Sequence, residues 1–258
     1  MTDPLDFSDR TVIVTGGCRG IGRVIAERFL GAGAAVVVCC RNHPDDPIAA
    51  EGREAVFVAA DVRQPDDIAT VVHAATDATG RLDVLINNAG GAPLSDAATA
   101  SPRFTSSVIE LNLVAAINFA QAAQGVMRDQ PDGGAIVNVG SVSGMRPSPG
   151  TAAYGAAKAG LISVTASLAV EWAPRVRINT VSAGLIQTEA ARLHYGNEAA
   201  VDRVAETVPL GRLGTPGDVA DACLFLASSL ASYITGANLV VHGGGEAPAF
   251  LAAVRGDP

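Results

Sequence analysis

Residues 11–14, Thr-Val-Ile-Val, run directly into Thr15-Gly16-Gly17-Cys18-Arg19-Gly20-Ile21-Gly22 and then into a helical pattern that lasts to about Leu30. This unit constrains the fold more than any other stretch. Four apolar residues in a row suit a strand buried on both faces, the habit of parallel sheets. Glycines at its end let the backbone come close to a pyrophosphate, and the following helix N-terminus offers free N–H groups to it. Strand, glycine turn and helix in that order is the layout of a dinucleotide site; a tight turn without a ligand is the plainer reading.

The alternation continues along the chain. Strands are expected at Ala34 to Cys40, Ala55 to Ala60, Asp83 to Ile86, Ile136 to Val139, Val176 to Val181 and Leu239 to Val241. Helices are expected from Pro65 to about Ala78, Phe104 to Met127, Tyr154 to about Trp172 and Pro216 to about Ala227, with loop and a short helix over Gly91 to Ser101. Strands alternating with helices predict an α/β fold, a doubly wound parallel sheet with helices on both faces. No linker or shift in composition marks a second domain, so residues 1–258 read as one dinucleotide-binding domain of about seven strands. It would carry a mobile flap at 188–208 and a short C-terminal extension at 245–258, whose Phe250 to Val254 run suits packing on a neighbouring subunit.

Tyr154 and Lys158 stand four residues apart, on one face of their helix. Lys158 is the only lysine, the other basic side chains being arginine, and Tyr154 is one of three tyrosines. Lysine is a compact point charge, and a site that needs one cannot be built from the planar arginine fork. A surface Tyr–Lys pair is the plainer reading. The net charge of −8 argues against a nucleic-acid footprint or a polybasic membrane anchor. The acidic N-terminus lacks the apolar run of a signal peptide, and no uninterrupted apolar stretch is long enough to span a bilayer. Cys18, Cys39, Cys40 and Cys223 form no C-x-x-C pair, and they suit reduced thiols in a cytoplasmic protein better than disulfides or zinc ligands. No metal site is expected.

These residues resemble the short-chain dehydrogenase/reductases, in their compact single-domain branch. The likeness rests on T-G-x-x-x-G-I-G at Thr15 to Gly22, N-N-A-G at Asn87 to Gly90, and Ser141 about a dozen residues before the Y-x-x-x-K of Tyr154 and Lys158. Asn112 in the long helix adds to it. It runs from about residue 8 to residue 244. It implies an oxidoreductase moving hydride between a nicotinamide and a carbonyl/alcohol pair, with Asn112, Ser141, Tyr154 and Lys158 catalytic. Tyr154 would be the general acid/base, its phenol made acidic by ~2–3 pH units through Lys158 and an oxidised nicotinamide. Ser141 would orient the carbonyl, Lys158 would hold the ribose hydroxyls, and Asn112 would anchor a proton-relaying water.

The resemblance also implies a cofactor cradle. Gly16, Arg19, Gly20, Ile21 and Gly22 would meet the pyrophosphate side. Arg41, Asp61 and Val62 would face the adenosine. Asn88, Ala89, Gly90, Tyr154, Lys158, Gly184, Ile186 and Thr188 would face the nicotinamide half. An NAD-preferring site places a carboxylate after the second strand. Cys40 stands there instead, with Arg41 and Arg19 near, which suits a 2′-phosphate and therefore NADP(H); NAD(H) is the alternative. Ala183-Gly184 replaces the family's usual Pro-Gly, which should loosen the loop carrying Ile186 and Thr188. His242-Gly243-Gly244 replaces Asp-Gly-Gly, and His242 reads as a strand-end or interface residue. Family members pair their long helices between subunits, so a homo-oligomer is expected, a tetramer or dimer. The substrate is left open among a 3-oxoacyl thioester, a sugar, a steroid or a small ketone. The rival functions are a non-catalytic NADP-binding sensor and an NAD-dependent epimerase or dehydratase.

Overall fold

A computed structural model of the chain describes residues 3–189 and 197–248. Seven parallel strands form one sheet: β1 (Thr11–Thr15), β2 (Ala35–Cys40), β5 (Val56–Ala59), β6 (Val84–Asn87), β7 (Gly134–Ser141), β8 (Val176–Ala183) and β9 (Asn238–Val241). They lie in the order β5-β2-β1-β6-β7-β8-β9. The doubly wound parallel sheet expected from the alternation is therefore present. Between β2 and β5 the chain adds a two-stranded antiparallel ribbon, β3 (Ala49–Ala50) with β4 (Arg53–Glu54), which the sequence reading left as loop.

The single-residue alternation of β1 explains why the sheet needs covering on both sides. Val12 and Val14 join a core with Ile25, Phe29, Val219 and Leu226. Ile13 points to the opposite core, with Val71, Leu85, Phe119, Ile136 and Ile178. Helices α1 (Gly20–Gly31) and α7 (Pro216–Ala227) cover the first face; α2 (Pro65–Thr79), α4 (Ala115–Met127) and α5 (Ala152–Trp172) supply the second. Pro65 and Pro216 open their helices, as the missing proline N–H allows. Thr215 and Asp218 close a capping box on α7, and Arg177 donates to the Leu226, Ala227 and Ser228 carbonyls at its other end.

The long helix expected from Phe104 begins at Pro102 and is interrupted. α3 (Pro102–Ile109) and α4 are joined by a π-helical stretch, Glu110–Val114, that holds Asn112. Periodicity at 3.6 cannot reveal a single wide turn inside an otherwise regular helix. Residues 91–100 carry turns and no short helix. The expected flap at 188–208 contains an ordered helix, α6 (Glu198–Glu206), started by the Asn197 side chain. His194 and Tyr195 of that flap, and the Phe250–Val254 run, lie outside the described residues.

Helix α5 is long and apolar enough to cross a membrane by length and composition, a test a core helix also passes. Here Leu161, Thr165, Leu168 and Ala169 are buried in the protein. Ala152, Ala156, Ala159, Ser163, Ala166 and Val170 are exposed at spacings of three and four residues, one continuous stripe on the outer face.

The amino ends of β1 and β6 are tied by Asp83, which is 3% exposed. Its carboxylate accepts from the Thr11 N–H at 2.8 Å, from Arg10 Nη1 at 3.0 Å and from Arg81 Nε at 2.8 Å. Asp83→Ala leaves the buried Thr11 N–H unpaired and should cost about 2–3 kcal/mol. Asp83→Asn, which keeps an acceptor for Thr11, should cost less. Urea unfolding of the two variants beside the parent measures the order; equal losses would refute it.

Candidate active site

The strand order reverses direction between β1 and β6. From β1 the chain first builds outward to β2 and β5, then returns to add β6 to β9 on the other side. Carboxyl ends of neighbouring strands diverge at such a point and leave a crevice. Three of the recognised motifs meet at it: the glycine turn after β1, Asn88 to Gly90 after β6, and Ser141 at the end of β7.

The first two are clasped together by Thr15. Its hydroxyl accepts from the Asn88 and Ala89 N–H groups, both at 3.0 Å, and Asn88 Nδ2 returns a bond to the Thr15 carbonyl at 2.9 Å. The approach is close enough to demand glycine. A Cβ at Gly22 would lie 2.3 Å from the Gly16 carbonyl oxygen, a contact no side chain tolerates. Gly20 has φ +54° and open space where its Cβ would be, and no side chain caps α1 behind Arg19. A wall without a side chain, next to an uncapped helix start, fits a dinucleotide pyrophosphate. Ile21 packs its side chain into the core and leaves its backbone facing the turn.

Asn112 holds the far wall. Its Nδ2 donates to the carbonyls of Gly91 at 3.0 Å and Val108 at 2.9 Å, and its Oδ1 accepts from the Gly91 N–H at 2.7 Å. The wide turn of Glu110–Val114 brings this amide onto the loop. Gly90 fills the gap between the two polar groups: a Cβ there would sit 2.7 Å from Asn112 Oδ1 and 3.5 Å from Lys158 Nζ. The amide's hydrogens are thus both committed to the backbone, and one Oδ1 lone pair is left for a water.

Lys158 is 4% exposed and donates to the Val139 carbonyl at 2.7 Å. Strand β6 stops at Asn87, opposite Asn138, so β7 runs past it and leaves Val139 to Ser141 without a partner on the β6 side. Lys158 Nζ also lies 5.6 Å from the Tyr154 ring centre. Helix α5 reaches this place because Gly144 and Gly155 permit it. A Cβ at Gly144 would lie 2.7 Å from the Lys158 carbonyl carbon, and one at Gly155 would lie 2.9 Å from the Ser143 carbonyl oxygen. Ser141, Tyr154, Lys158 and Asn112 are therefore brought together around the mouth of the crevice.

Burial dominates the electrostatics of the Tyr154–Lys158 pair. Burial pushes the Tyr154 phenol up, and the Ser141 hydroxyl beside it only opposes that shift. Burial also brings the Lys158 ammonium down to about 8. The desolvation that penalises a phenolate also penalises an ammonium, so burial moves both groups toward their neutral forms.

Beneath these residues runs a buried polar chain that the sequence reading missed. Asn87 Nδ2 donates to Asn138 Oδ1, Asn138 Nδ2 donates to Thr165 Oγ1, and Thr165 and Thr180 share a hydrogen bond, each at 2.9 Å. An asparagine inside the apolar run Ile136 to Val139 was the available signal, with Thr165 seven residues beyond Lys158 on the same helix face.

The remaining candidates line the crevice more loosely. Val62 borders a cleft of ≈ 170 Å³ with Thr15, Asn87, Ala89 and Ala115. Asp61 is bound by Arg63 Nε at 2.9 Å, and that hydrogen bond, with the charges of Arg63 and Arg41, lowers its carboxyl pKa. Arg19 and Arg41 are exposed. In the loop after β8, Gly214 donates to Leu185 O at 2.9 Å and accepts from the Gln187 N–H at 2.8 Å. Gly184 packs on His242, where a Cβ would lie 2.6 Å from the His242 Cβ, while Thr188 is half-buried at the loop's end. His242 and Glu246 lie beside Val142, Leu185 and Val208 in a shallow surface groove. Arg146, in the same wall as Ser143 to Gly150, pairs with Glu246. The expectation of four reduced thiols fails: Cys18 and Cys40 form a disulfide.

A family described as Enoyl-(Acyl carrier protein) reductase matches residues 16–246. The chain is 37% identical over 244 residues to 3-oxoacyl-(acyl-carrier-protein) reductase of Vibrio cholerae, covering 93% of this chain and 98% of that protein. It is 38% identical over 246 residues to L-rhamnose 1-dehydrogenase (NAD(P)(+)) of Azotobacter vinelandii, covering 92% and 96%. Among solved structures, ligand-free aldohexose dehydrogenase of Thermoplasma acidophilum superposes with a TM-score of 0.86 at 32% identity, covering 98% of this chain and 99% of that one.

The buried ammonium gives a test with a definite sign. Below pH 8 Lys158 is charged both folded and unfolded, and its burial destabilises the fold by about 2–3 kcal/mol. Between about pH 8 and pH 10 the unfolded chain keeps the proton that the folded one has lost, so stability rises with pH. Lys158→Met should therefore be more stable than the parent at pH 7, by an amount that shrinks toward pH 10. Denaturant unfolding of the ligand-free proteins at both pH values reads it; a pH-independent difference would rule it out.

Proposed function

The chain belongs to the short-chain dehydrogenase/reductase family and is an oxidoreductase, and from that premise we propose that it reduces a ketone, or oxidises the matching secondary alcohol, with NADP(H). The observation that carries this reading is the convergence of Ser141, Tyr154 and Lys158 on the crevice mouth, with Gly90 as the only spacer between Lys158 and Asn112. We read residues 1–258 as one dinucleotide-binding domain. When bound, the dinucleotide supplies or accepts the hydride.

The chain's own residues handle the proton and the oxygen. Ser141 hydrogen-bonds the substrate oxygen and fixes its orientation. Tyr154, protonated in the ligand-free site, is the general acid for reduction and takes the proton back in oxidation. Lys158 would hold the ribose hydroxyls of the cofactor and, with the charge of an oxidised nicotinamide, would favour the phenolate form of Tyr154. Asn112 holds the Gly90–Gly91 wall and offers its remaining lone pair to a water that returns protons toward Lys158. Gly184, Ile186 and Thr188 would hold the nicotinamide amide side, and Asp61 and Val62 would flank the adenine.

The preference for NADP(H) rests on Cys40 in place of a carboxylate and on the exposed Arg19 and Arg41. For the substrate we favour a 3-oxoacyl thioester or another ketone with an apolar chain. Support comes from the Val142, Leu185 and Val208 lining of the groove beyond Ser141, and from the relative named as a 3-oxoacyl reductase. We also propose a homo-oligomer, a tetramer or dimer paired through the exposed small-residue stripe of α5, and a cytoplasmic location. The Cys18–Cys40 pair weighs against that location.

A panel of 3-oxoacyl thioesters, simple ketones and sugars, followed through absorbance of the reduced cofactor, should reveal NADPH-dependent turnover. Tyr154→Phe should lower kcat by ~10²–10⁴ while NADPH still binds. Retained turnover in that variant would remove the acid/base role. Arg41→Ala should reduce kcat/KM for NADPH by about tenfold and leave NADH little changed. A parent enzyme that prefers NADH would end the cofactor argument.

A further inference from the structure

The cysteines sort into two chemical kinds. Cys39 and Cys223 are buried, and desolvation pushes both thiols up to about 12, so they stay protonated and inert near neutral pH. Cys18 and Cys40 are half-exposed and joined, with Cα atoms 6.4 Å apart. Each is followed in sequence by an arginine, Arg19 and Arg41, whose charge favours a thiolate when the pair is open. Among the described residues, thiol–disulfide chemistry is concentrated at this pair.

Its position is at the cofactor crevice. Cys18 lies in the glycine turn, and Cys40 ends β2 where a carboxylate would otherwise read the adenine ribose. The first half of the turn is held to β2 without sulfur. Gly16 donates to the Cys39 carbonyl at 2.8 Å, and Gly17 is packed so tightly that a Cβ would meet Val38 Cγ1 at 2.7 Å. The second half has no such anchor. No side chain caps α1 at Arg19, and Gly20 turns at φ +54° with open space beside it. The disulfide is what ties this half to the end of β2, and it holds the arginine-bearing backbone of both segments on one spot.

We propose that Cys18–Cys40 is a reversible redox latch that sets which dinucleotide the crevice accepts. This rests on the NADP(H) reading of Arg19 and Arg41 above. With the latch closed, both guanidinium groups flank the 2′-position of the adenine ribose and favour a 2′-phosphate. With it open, the Cys18–Arg19 half of the turn is released from β2 and the preference falls. Closing needs a low-molecular-weight disulfide. One cysteine thiolate attacks it and expels one small thiol, and the second thiolate attacks the mixed disulfide and expels the other. Two protons and two electrons leave the protein and reside in the two small thiols. A small dithiol reverses the exchange, giving up two electrons and two protons as it becomes a disulfide.

The test uses the full chain equilibrated with oxidised glutathione or with dithiothreitol. Thiols counted after denaturation should be two in the first case, Cys39 and Cys223, and four in the second. Fluorescence titrations should show the ratio of NADPH to NADH affinity falling about tenfold on reduction, the weight of one lost guanidinium–phosphate contact. Cys18→Ser and Cys40→Ser should each give the reduced ratio in both buffers. An unchanged ratio, a ratio that rises on reduction, or four thiols in both buffers would overturn the latch. Binding of neither dinucleotide in either state would instead overturn the cofactor reading on which the latch stands.

Discussion

The site is organised by one hydrogen bond, from the buried Lys158 ammonium to the Val139 carbonyl at 2.7 Å. A charge that deep would destabilise the fold further without this bond, and making it requires several elements to stop at the right place. Strand β6 must end one residue short of Val139. Helix α5 must lie close enough to β7 for a lysine stem to span the gap, which Gly144 and Gly155 allow. Gly90 must have no side chain, since one would collide with Asn112 and press on Lys158. The bond explains why glycines surround the ammonium and why a lysine was kept in a chain that otherwise uses arginine.

Burial acts on both ionisable groups of the site. Tyr154 is shifted up and Lys158 down, both by desolvation, so each group is nearer its neutral form than it would be in water. The buried Asn87–Asn138–Thr165–Thr180 chain keeps the helix and three strands in register beneath the site. The framework beneath the site is thus fixed by side-chain hydrogen bonds rather than by apolar packing alone.

Much of this was legible in particular residues. Thr15 to Gly22 fell between a strand and a helix as expected, because close backbone approach leaves glycine no substitute. Ser141, Tyr154 and Lys158 met as their spacing implied. Asn112 was marked, but its wide helical turn was not: one extra residue per turn leaves little trace in hydrophobic period. The ribbon at 49–54 is too short to show alternation. Helix α6, inside the expected flap, left no clear signal because no residue of it is buried and its apolar residues lack a core to face. The cysteine reading failed because Cys18 and Cys40 are 22 positions apart and become neighbours only when the turn folds over β2.

The sequence by itself determined the layered parallel fold, the crevice at the strand reversal and the identity of the residues around it. Those follow from local requirements: backbone approach, side-chain period and charge type. Tertiary structure alone decided the protonation balance of Tyr154 and Lys158, the commitment of the Asn112 amide and the pairing of Cys18 with Cys40. Each depends on how much water is excluded or on which distant groups come within bonding reach. Neither quantity exists until the chain has packed.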